Sequence, residues 1–302
     1  MSVVVSYWSG DLPEVTKLHF ISFRKLNPDV KYVLHLERDS GFEGSLSKPM
    51  VDLLHELKIE ISSVSLASLM ELQGVARFSK FRRDKLFTMS RKIFRRMYPV
   101  FYRFPCTKRR IFHSKLMGFT AGHTFPLTGY VSDLAYRADL FRSLAHQLFQ
   151  GSDYLYIDLD VCFIKPLKFE SSSAGYCAQW GTDDSGNSAY LMLPQNSPAR
   201  QMILNDLQSG FSALPWVLYS SEQLGRYGIS MLPNKVFDPA WDPDSVIHER
   251  SDLFFRSGSH VSTFINEIMF DCICVHWHNQ WNEIPDLDSP YDRLLKVYSK
   301  MI

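Results

Sequence analysis

Asp158 and Asp160 stand two residues apart, with Tyr154-Leu155-Tyr156-Ile157 before them and Val161-Cys162-Phe163-Ile164 after them. Residues two apart at the end of a strand project to the same side, so these carboxylates converge on one point beyond a sheet edge. Like charges that close need a counter-ion, and a hard divalent cation, Mg²⁺ or Mn²⁺, supplies one. Such an ion bridges two phosphates and neutralises a departing diphosphate, which is Lewis-acid and electrostatic catalysis. An isolated D-x-D is also met as a solvated surface turn. Here the apolar flanks place the charges inside a buried strand, where unpaired carboxylates are expensive.

The elements around the pair predict where it sits. Val3-Val4-Val5-Ser6-Tyr7-Trp8 reads as a buried strand closed by Ser9-Gly10. Asp11-Leu12-Pro13-Glu14 then opens a helix that runs to the stop signal Asn27-Pro28-Asp29, and Tyr32 to Leu36 reads as a second strand. This β-α-β start predicts an α/β protein with a mainly parallel sheet, helices on both faces and ligands at the carboxyl ends of the strands. Further along, helices are expected near Lys48–Leu57, Thr128–Phe149 and Ser197–Leu207. Strands are expected near Ile59–Val64, Tyr154–Ile164, Gly175–Gln179, Ala189–Leu193, Ile229–Leu232 and Asp271–His276.

At 302 residues the chain is near the ceiling for one hydrophobic core, which predicts one large domain, 1–302, with an elaboration. With 45% apolar and 22% charged residues the composition excludes the disordered and fibrous classes. The net charge of +1 hides an asymmetry: residues 77–115 carry 14 Lys or Arg against Asp84 alone, which leaves the remainder at −12. That stretch interleaves its charges with Phe78, Phe81, Phe87, Phe94, Tyr98 and Phe101, and predicts a basic aromatic helical insertion over 75–118. A basic, aromatic-bearing segment suits an anionic membrane surface; a solvated basic helix and nucleic-acid binding are the alternatives. The five cysteines lack metal-type spacing, and neither a signal-peptide pattern nor a long apolar run is seen. The expectation is a cytoplasmic protein, peripheral on the inner membrane face through the basic segment.

Several ordered blocks resemble the retaining GT-A glycosyltransferases with a D-x-D sugar-binding region, family 32-like and related to family 8 and the clostridial-toxin glucosyltransferase domains. Tyr7-Trp8-Ser9-Gly10-Asp11-Leu12-Pro13 with Ser22 and Asn27-Pro28 is similar to the family's opening strand, "W-x-G-x-x-L-P" turn and "S-x-x-x-x-N-P" helix end. Ala138-Asp139-Leu140-Phe141-Arg142 is similar to "S-D-x-x-R", and Tyr156-Ile157-Asp158-Leu159-Asp160-Val161 with Lys165-Pro166-Leu167 to "Y-L-D-x-D-V…K-P-L". Ile229 to Pro233 with Phe237 and Pro239 resembles "I-x-x-L-P…F-x-P", and Val275 to Trp281 the C-terminal "H…W" signature. One departure is Asp153-Tyr154, where the family usually has a Gly-Gly pair.

The resemblance implies a GT-A fold, Rossmann-like with a mainly parallel central sheet flanked by helices. It also implies a Mn²⁺- or Mg²⁺-dependent transfer, with retention, from a UDP- or GDP-linked nucleotide-sugar donor to a glycan or lipid-linked acceptor. In that frame Trp8 stacks on the nucleotide base, with Tyr7 beside it, and Asp139 and Arg142 contact sugar hydroxyls. Asp158, Asp160 and His276 hold the metal, and Asn279 and Trp281 close over the diphosphate. Asp184 and Asn187, in the polar Gly181–Asn187 loop, are acceptor or reaction-centre candidates. Two other classes compete. A haloacid-dehalogenase-type phosphatase would use Asp158 as nucleophile and Asp160 as acid/base, but its motif normally opens its domain. A non-enzymatic membrane- or nucleic-acid-binding protein would make residues 77–115 the function.

Overall fold

The computed structural model describes residues 2–39, 41–75, 134–168, 174–179, 186–208 and 221–300. The basic insertion and Asp184 lie outside the described residues. The strands are β1 (Ser2–Trp8), β2 (Gly10–Asp11), β3 (Lys31–Glu37), β4 (Gly44–Ser45), β5 (Glu60–Val64) and β6 (Asp153–Ile157), followed by β7 (Val161–Phe163), β8 (Gly175–Gln179), β9 (Gly186–Leu193), β10 (Ile229–Leu232) and β11 (Cys274–His276). The helices are α1 (Lys17–Leu26), α2 (Lys48–Glu56), α3 (Leu66–Leu72), α4 (Leu134–Leu144), α5 (Ala199–Gln208), α6 (Ser221–Tyr227), α7 (Asn234–Phe237), α8 (His260–Asp271) and α9 (Pro290–Ser299).

The central sheet has the order β10-β8-β9-β6-β1-β3-β5. Only β9 runs against its two neighbours; the other pairings are parallel, so the fold is the mainly parallel α/β sheet expected from the β-α-β start. Alternation along β1 explains how it is covered on both sides. Val4 faces the layer built with α1, α2 and α9, whereas Val3, Val5 and Tyr7 face α3, α4 and α5. All the central residues of β1 are buried, which is what a β-branched run without polar alternation requires.

The sequence-based strand over Tyr154–Ile164 is corrected by the structure. The run is two strands in two sheets: β6 belongs to the central sheet, while β7 pairs antiparallel with β11 in a separate ribbon. An apolar run continues through both because each half is buried, so periodicity does not reveal the change of sheet. Asp158 and Asp160 occupy the step between them. The expected Asp271–His276 strand is likewise shortened to Cys274–His276, because α8 runs through Asp271 and Cys272 caps it.

Side chains of β1, of α1 and of Asn27, which caps α1, fasten this step. Ser6 Oγ donates to the Ile157 carbonyl at 2.6 Å, and His19 Nδ1 lies 2.8 Å from the Val161 carbonyl. Ser22 Oγ accepts from Phe163 N–H at 3.0 Å, and Asn27 Oδ1 accepts from Leu167 N–H at 2.8 Å. The Ser22 and Asn27-Pro28 block therefore has a structural use: it pins the chain on the far side of the acidic pair. Gly44 lets the β2–β4 ribbon lie against the end of β1, since a Cβ there would be 2.9 Å from the Trp8 carbonyl oxygen. Among the described residues, no helix is long and apolar enough to cross a membrane.

Candidate active site

The register of the small ribbon builds the site. His276 pairs with Val161, and Trp277 N–H donates to the Asp160 carbonyl at 2.9 Å, so the end of β11 is delivered beside Asp160. Asp158 is held from the other side, its N–H donating to the Ala189 carbonyl of β9 at 2.9 Å. The result brings Asp158, Asp160 and His276 together, with one ligand atom of each within 4.8 Å of the others.

The two aspartates have different environments. Asp158, 24% exposed at its side chain, accepts from Tyr156 Oη at 2.8 Å and lies 3.5 Å from the Arg142 guanidinium. Burial pushes its carboxyl above the usual range against the pull of Arg142, and the Asp160 charge adds to the rise. Asp160 is buried; Oδ2 accepts from Asn279 N–H at 2.7 Å and faces His276 Nε2 at 3.2 Å. Burial would raise its pKa too, but His276 and the Asn279 N–H hold it down at about 2. Its other oxygen, Oδ1, is buried without a hydrogen-bond partner.

His276 lies between Asp160 and Asp238, whose Oδ2 is 3.2 Å from Nδ1. Burial lowers the basicity of its ring, yet the two carboxylates outweigh that and raise it well above the ordinary histidine value. Asp238 is itself fully buried and also meets His278 Nε2 at 2.8 Å. Burial raises the Asp238 carboxyl, but the two histidines reverse that and hold it below the usual range.

The remaining expected residues are placed as follows. Arg142 reaches Asp139 at 3.1 Å, Asp158 at 3.5 Å and Ser188 Oγ at 2.6 Å, joining α4, the acidic step and β9. Asn187 is buried at the start of β9, its Oδ1 accepting from Ala189 N–H at 2.9 Å, one residue from the Arg142 partner Ser188. Trp8 ends β1 with its ring edge-on to Trp281 at 4.9 Å between centroids, and its Nε1 is buried without a hydrogen-bond partner. Trp281 Nε1 donates to Asn279 Oδ1 at 3.1 Å. Tyr7 is not brought to this cluster. It lies on the opposite face of β1, stacked on Phe141 at 4.7 Å with its hydroxyl donating to Glu37 at 2.6 Å.

Two groups near the site had no role in the sequence reading. Asp238 lies inside the Phe237-Asp238-Pro239 block and His278 two residues after His276. Their adjacency to recognised positions was the available signal. Asp238, His276 and His278 also form a group with ligand atoms within 4.8 Å of one another.

No protein-family model matches the chain, and no curated protein matches it. Among solved structures, the chain is similar to the PaToxG glycosyltransferase at 12% identity and a TM-score of 0.39, over 75% of this chain and 68% of that one. It is similar to mouse xyloside xylosyltransferase 1 at 13% identity and a TM-score of 0.37, over 94% and 99% of the two chains. A third likeness is to the glycosyltransferase GlyE of Streptococcus pneumoniae at 14% identity and a TM-score of 0.40, covering 99% of this chain and 60% of that one.

Proposed function

We propose that the chain is a metal-dependent glycosyltransferase that moves a sugar from a UDP- or GDP-linked donor to a hydroxyl of a glycan or lipid-linked acceptor, with retention. The observation that carries this reading is the convergence of Asp158, Asp160 and His276 at the carboxyl end of β6, with Asp160 Oδ1 buried and unpartnered. A buried carboxylate oxygen without a partner costs more than the roughly 1–3 kcal/mol of a neutral group, and a cation removes that cost. The donor set also fits: two carboxylates suit Mg²⁺ or Mn²⁺, and the imidazole favours Mn²⁺. Bound there, the ion supplies charge neutralisation for a departing diphosphate.

The protein's own residues do the rest. Asp158, Asp160 and His276 would hold the ion, and Arg142, fixed between Asp139, Asp158 and Ser188, presents α4 side chains to donor hydroxyls. Trp8 and Trp281, edge to face, offer an aromatic wall beside Asn279 on which a nucleotide base could stack. Asn187 and Asp184 are the proposed acceptor-side residues. The reading takes residues 1–302 as one domain and assigns residues 75–118 to the acceptor or to an anionic membrane surface, the second of which would put the protein at the inner membrane face.

The test is nucleotide release from UDP-Glc, UDP-Gal, UDP-GlcNAc and GDP-Man with and without Mn²⁺. Metal-dependent release of UDP or GDP from one of them is expected. No release from any, together with no metal-dependent nucleotide binding, ends the proposal.

A further inference from the structure

Asp238 is fully buried between two histidines, and the polarity of the hydrogen bonds around it is determined by one group that is only a donor. Trp241 Nε1–H lies 3.4 Å from His278 Nδ1, so that nitrogen accepts. The His278 proton then sits on Nε2, 2.8 Å from Asp238 Oδ1. An ionised Asp238 accepts at both oxygens, so His276 Nδ1, 3.2 Å from Oδ2, carries a proton as well. His276 Nε2 is the nitrogen left facing Asp160 Oδ2 at 3.2 Å.

The backbone is arranged to deliver this chain. Asp238 and Trp241 share one turn, with Trp241 N–H donating to the Asp238 carbonyl at 3.0 Å. His278 adopts φ 51°, a left-handed conformation that folds its ring back to 4.2 Å from that of His276. Asp238, His276 and His278 lie close enough to hold an ion of their own. Their hydrogen bonds argue against that use: both Asp238 oxygens already have histidine donors, and Trp241 takes the remaining His278 nitrogen.

We infer that Asp238 is a positioning residue of the metal centre: it holds the His276 Nδ1–H, sets the rotation of the ring and aims the Nε2 lone pair at an ion shared with Asp160 and Asp158. This rests on the metal-dependent reading proposed above and assigns the Trp241-His278-Asp238 chain to it. A carboxylate behind a ligating histidine fixes the tautomer and raises ligand basicity, and its loss typically weakens metal binding by roughly 10–100-fold.

The experiment titrates the full chain with Mn²⁺, without donor or acceptor, following affinity by electron paramagnetic resonance and the ligating nitrogen by its ¹⁴N coupling in spin-echo modulation. In Asp238→Asn the amide accepts from one histidine and presents N–H groups to the other. Mn²⁺ binding should weaken roughly 10–100-fold, with a diminished ¹⁴N coupling and an unchanged circular dichroism spectrum. A second pair of variants works at the more accessible His278. His278→Leu, which removes the donor to Asp238, should weaken Mn²⁺ binding about 10-fold, whereas His278→Gln, whose amide N–H reaches the same place, should stay within about threefold of wild type. Wild-type affinity and coupling in Asp238→Asn overturn the inference, as do equal affinities for the two His278 variants. If Asp238→Asn does not fold, the His278 pair decides. Wild-type protein that shows no Mn²⁺ binding, or binding without ¹⁴N coupling, overturns the histidine-bearing metal centre itself. Wild-type binding with unchanged variants removes only the role of Asp238.

Discussion

Two charged clusters stand at the carboxyl ends of strands that flank β1, and they are finished differently. At the end of β3, Glu37 accepts from Tyr7 Oη and from the backbone N–H groups of Arg38 and Asp39, and pairs with the buried Arg137 guanidinium, which also meets Asp39 at 2.9 Å. Beyond β6, Asp158, Asp160 and Asp238 meet His276, His278 and Arg142, yet Asp160 Oδ1 has no partner. In the first, closed cluster both carboxylates meet one guanidinium. The second is acidic and has one acceptor left over. The same contrast separates two histidines: burial lowers His35, in line with Glu37 on β3, to about 4, while carboxylates lift His276 above its ordinary value. On the proposed reading, the acceptor left over at Asp160 is the one that a cation would take.

The largest effect that tests this contrast is at Asp160. Asp160→Ala should cut Mn²⁺-dependent nucleotide release by about 10³-fold or more, because it deletes a proposed metal ligand, while circular dichroism shows a folded protein. Unchanged release in a folded variant would sink the assignment. The matching substitution in the closed cluster should do the opposite. Glu37→Gln leaves Arg137 underpaired in the interior and should cost about 3 kcal/mol in urea unfolding, with the Mn²⁺ affinity of the folded protein unchanged. A Glu37 variant of full stability that no longer binds Mn²⁺ would erase the distinction between the clusters.

Charge state provides a smaller test. His35 packs against Phe141 and Phe149 and its ring nitrogens are buried without hydrogen-bond partners, so the folded protein keeps it neutral. Its folded pKa of about 4 lies below the unfolded 6.5, so the unfolded chain binds the extra proton between those values. Stability is therefore complete above pH 6.5 and falls as the pH drops toward 4, by about 2 kcal/mol at pH 5 from this residue alone. His35→Phe should remove that part of the slope, gaining about 2 kcal/mol more at pH 5 than at pH 7.5 in urea unfolding. An identical pH slope in the two proteins would show that His35 is charged or solvated.

What could be read from the sequence follows the range over which each interaction acts. The β-α-β start was legible because its burial pattern is local, and strands Gly175–Gln179 and Ile229–Leu232 appear at the expected bounds. The resemblance pointed to His276, and the register of the β7–β11 ribbon brings it to Asp160. Asp238 was signalled only by its place between Phe237 and Pro239, because the partners that define a buried carboxylate lie 38 and 40 residues away. Nor was the Glu37–Arg137 pair, separated by 100 residues. Tyr7 was expected at the donor site with Trp8, but alternation along β1 sends the two to opposite faces, and Tyr7 belongs to the closed cluster. Helix α9 could have been read from its start, where Ser289 Oγ accepts from Asp292 N–H and Pro290 takes the first turn.

The smallest effect concerns the rim that joins the open cluster to the aromatic wall. Asn279, at φ 59°, donates its N–H to Asp160 Oδ2 and accepts from Trp281 Nε1 with its side chain, so the position of the Trp281 ring is tied to the Asp160 carboxylate. That ring meets Trp8 edge-on at 4.9 Å, an arrangement worth about 1 kcal/mol beyond burial. Trp281→Ala should therefore weaken nucleotide binding about fivefold in the presence of Mn²⁺, measured by calorimetry, while leaving the Mn²⁺ affinity of the free protein unchanged. Trp281→Phe keeps a ring against Trp8 and should stay within about twofold of wild type. If the alanine variant loses Mn²⁺ instead of nucleotide, the wall is part of the metal cluster's own support, and the open cluster extends further along the rim than its carboxylates.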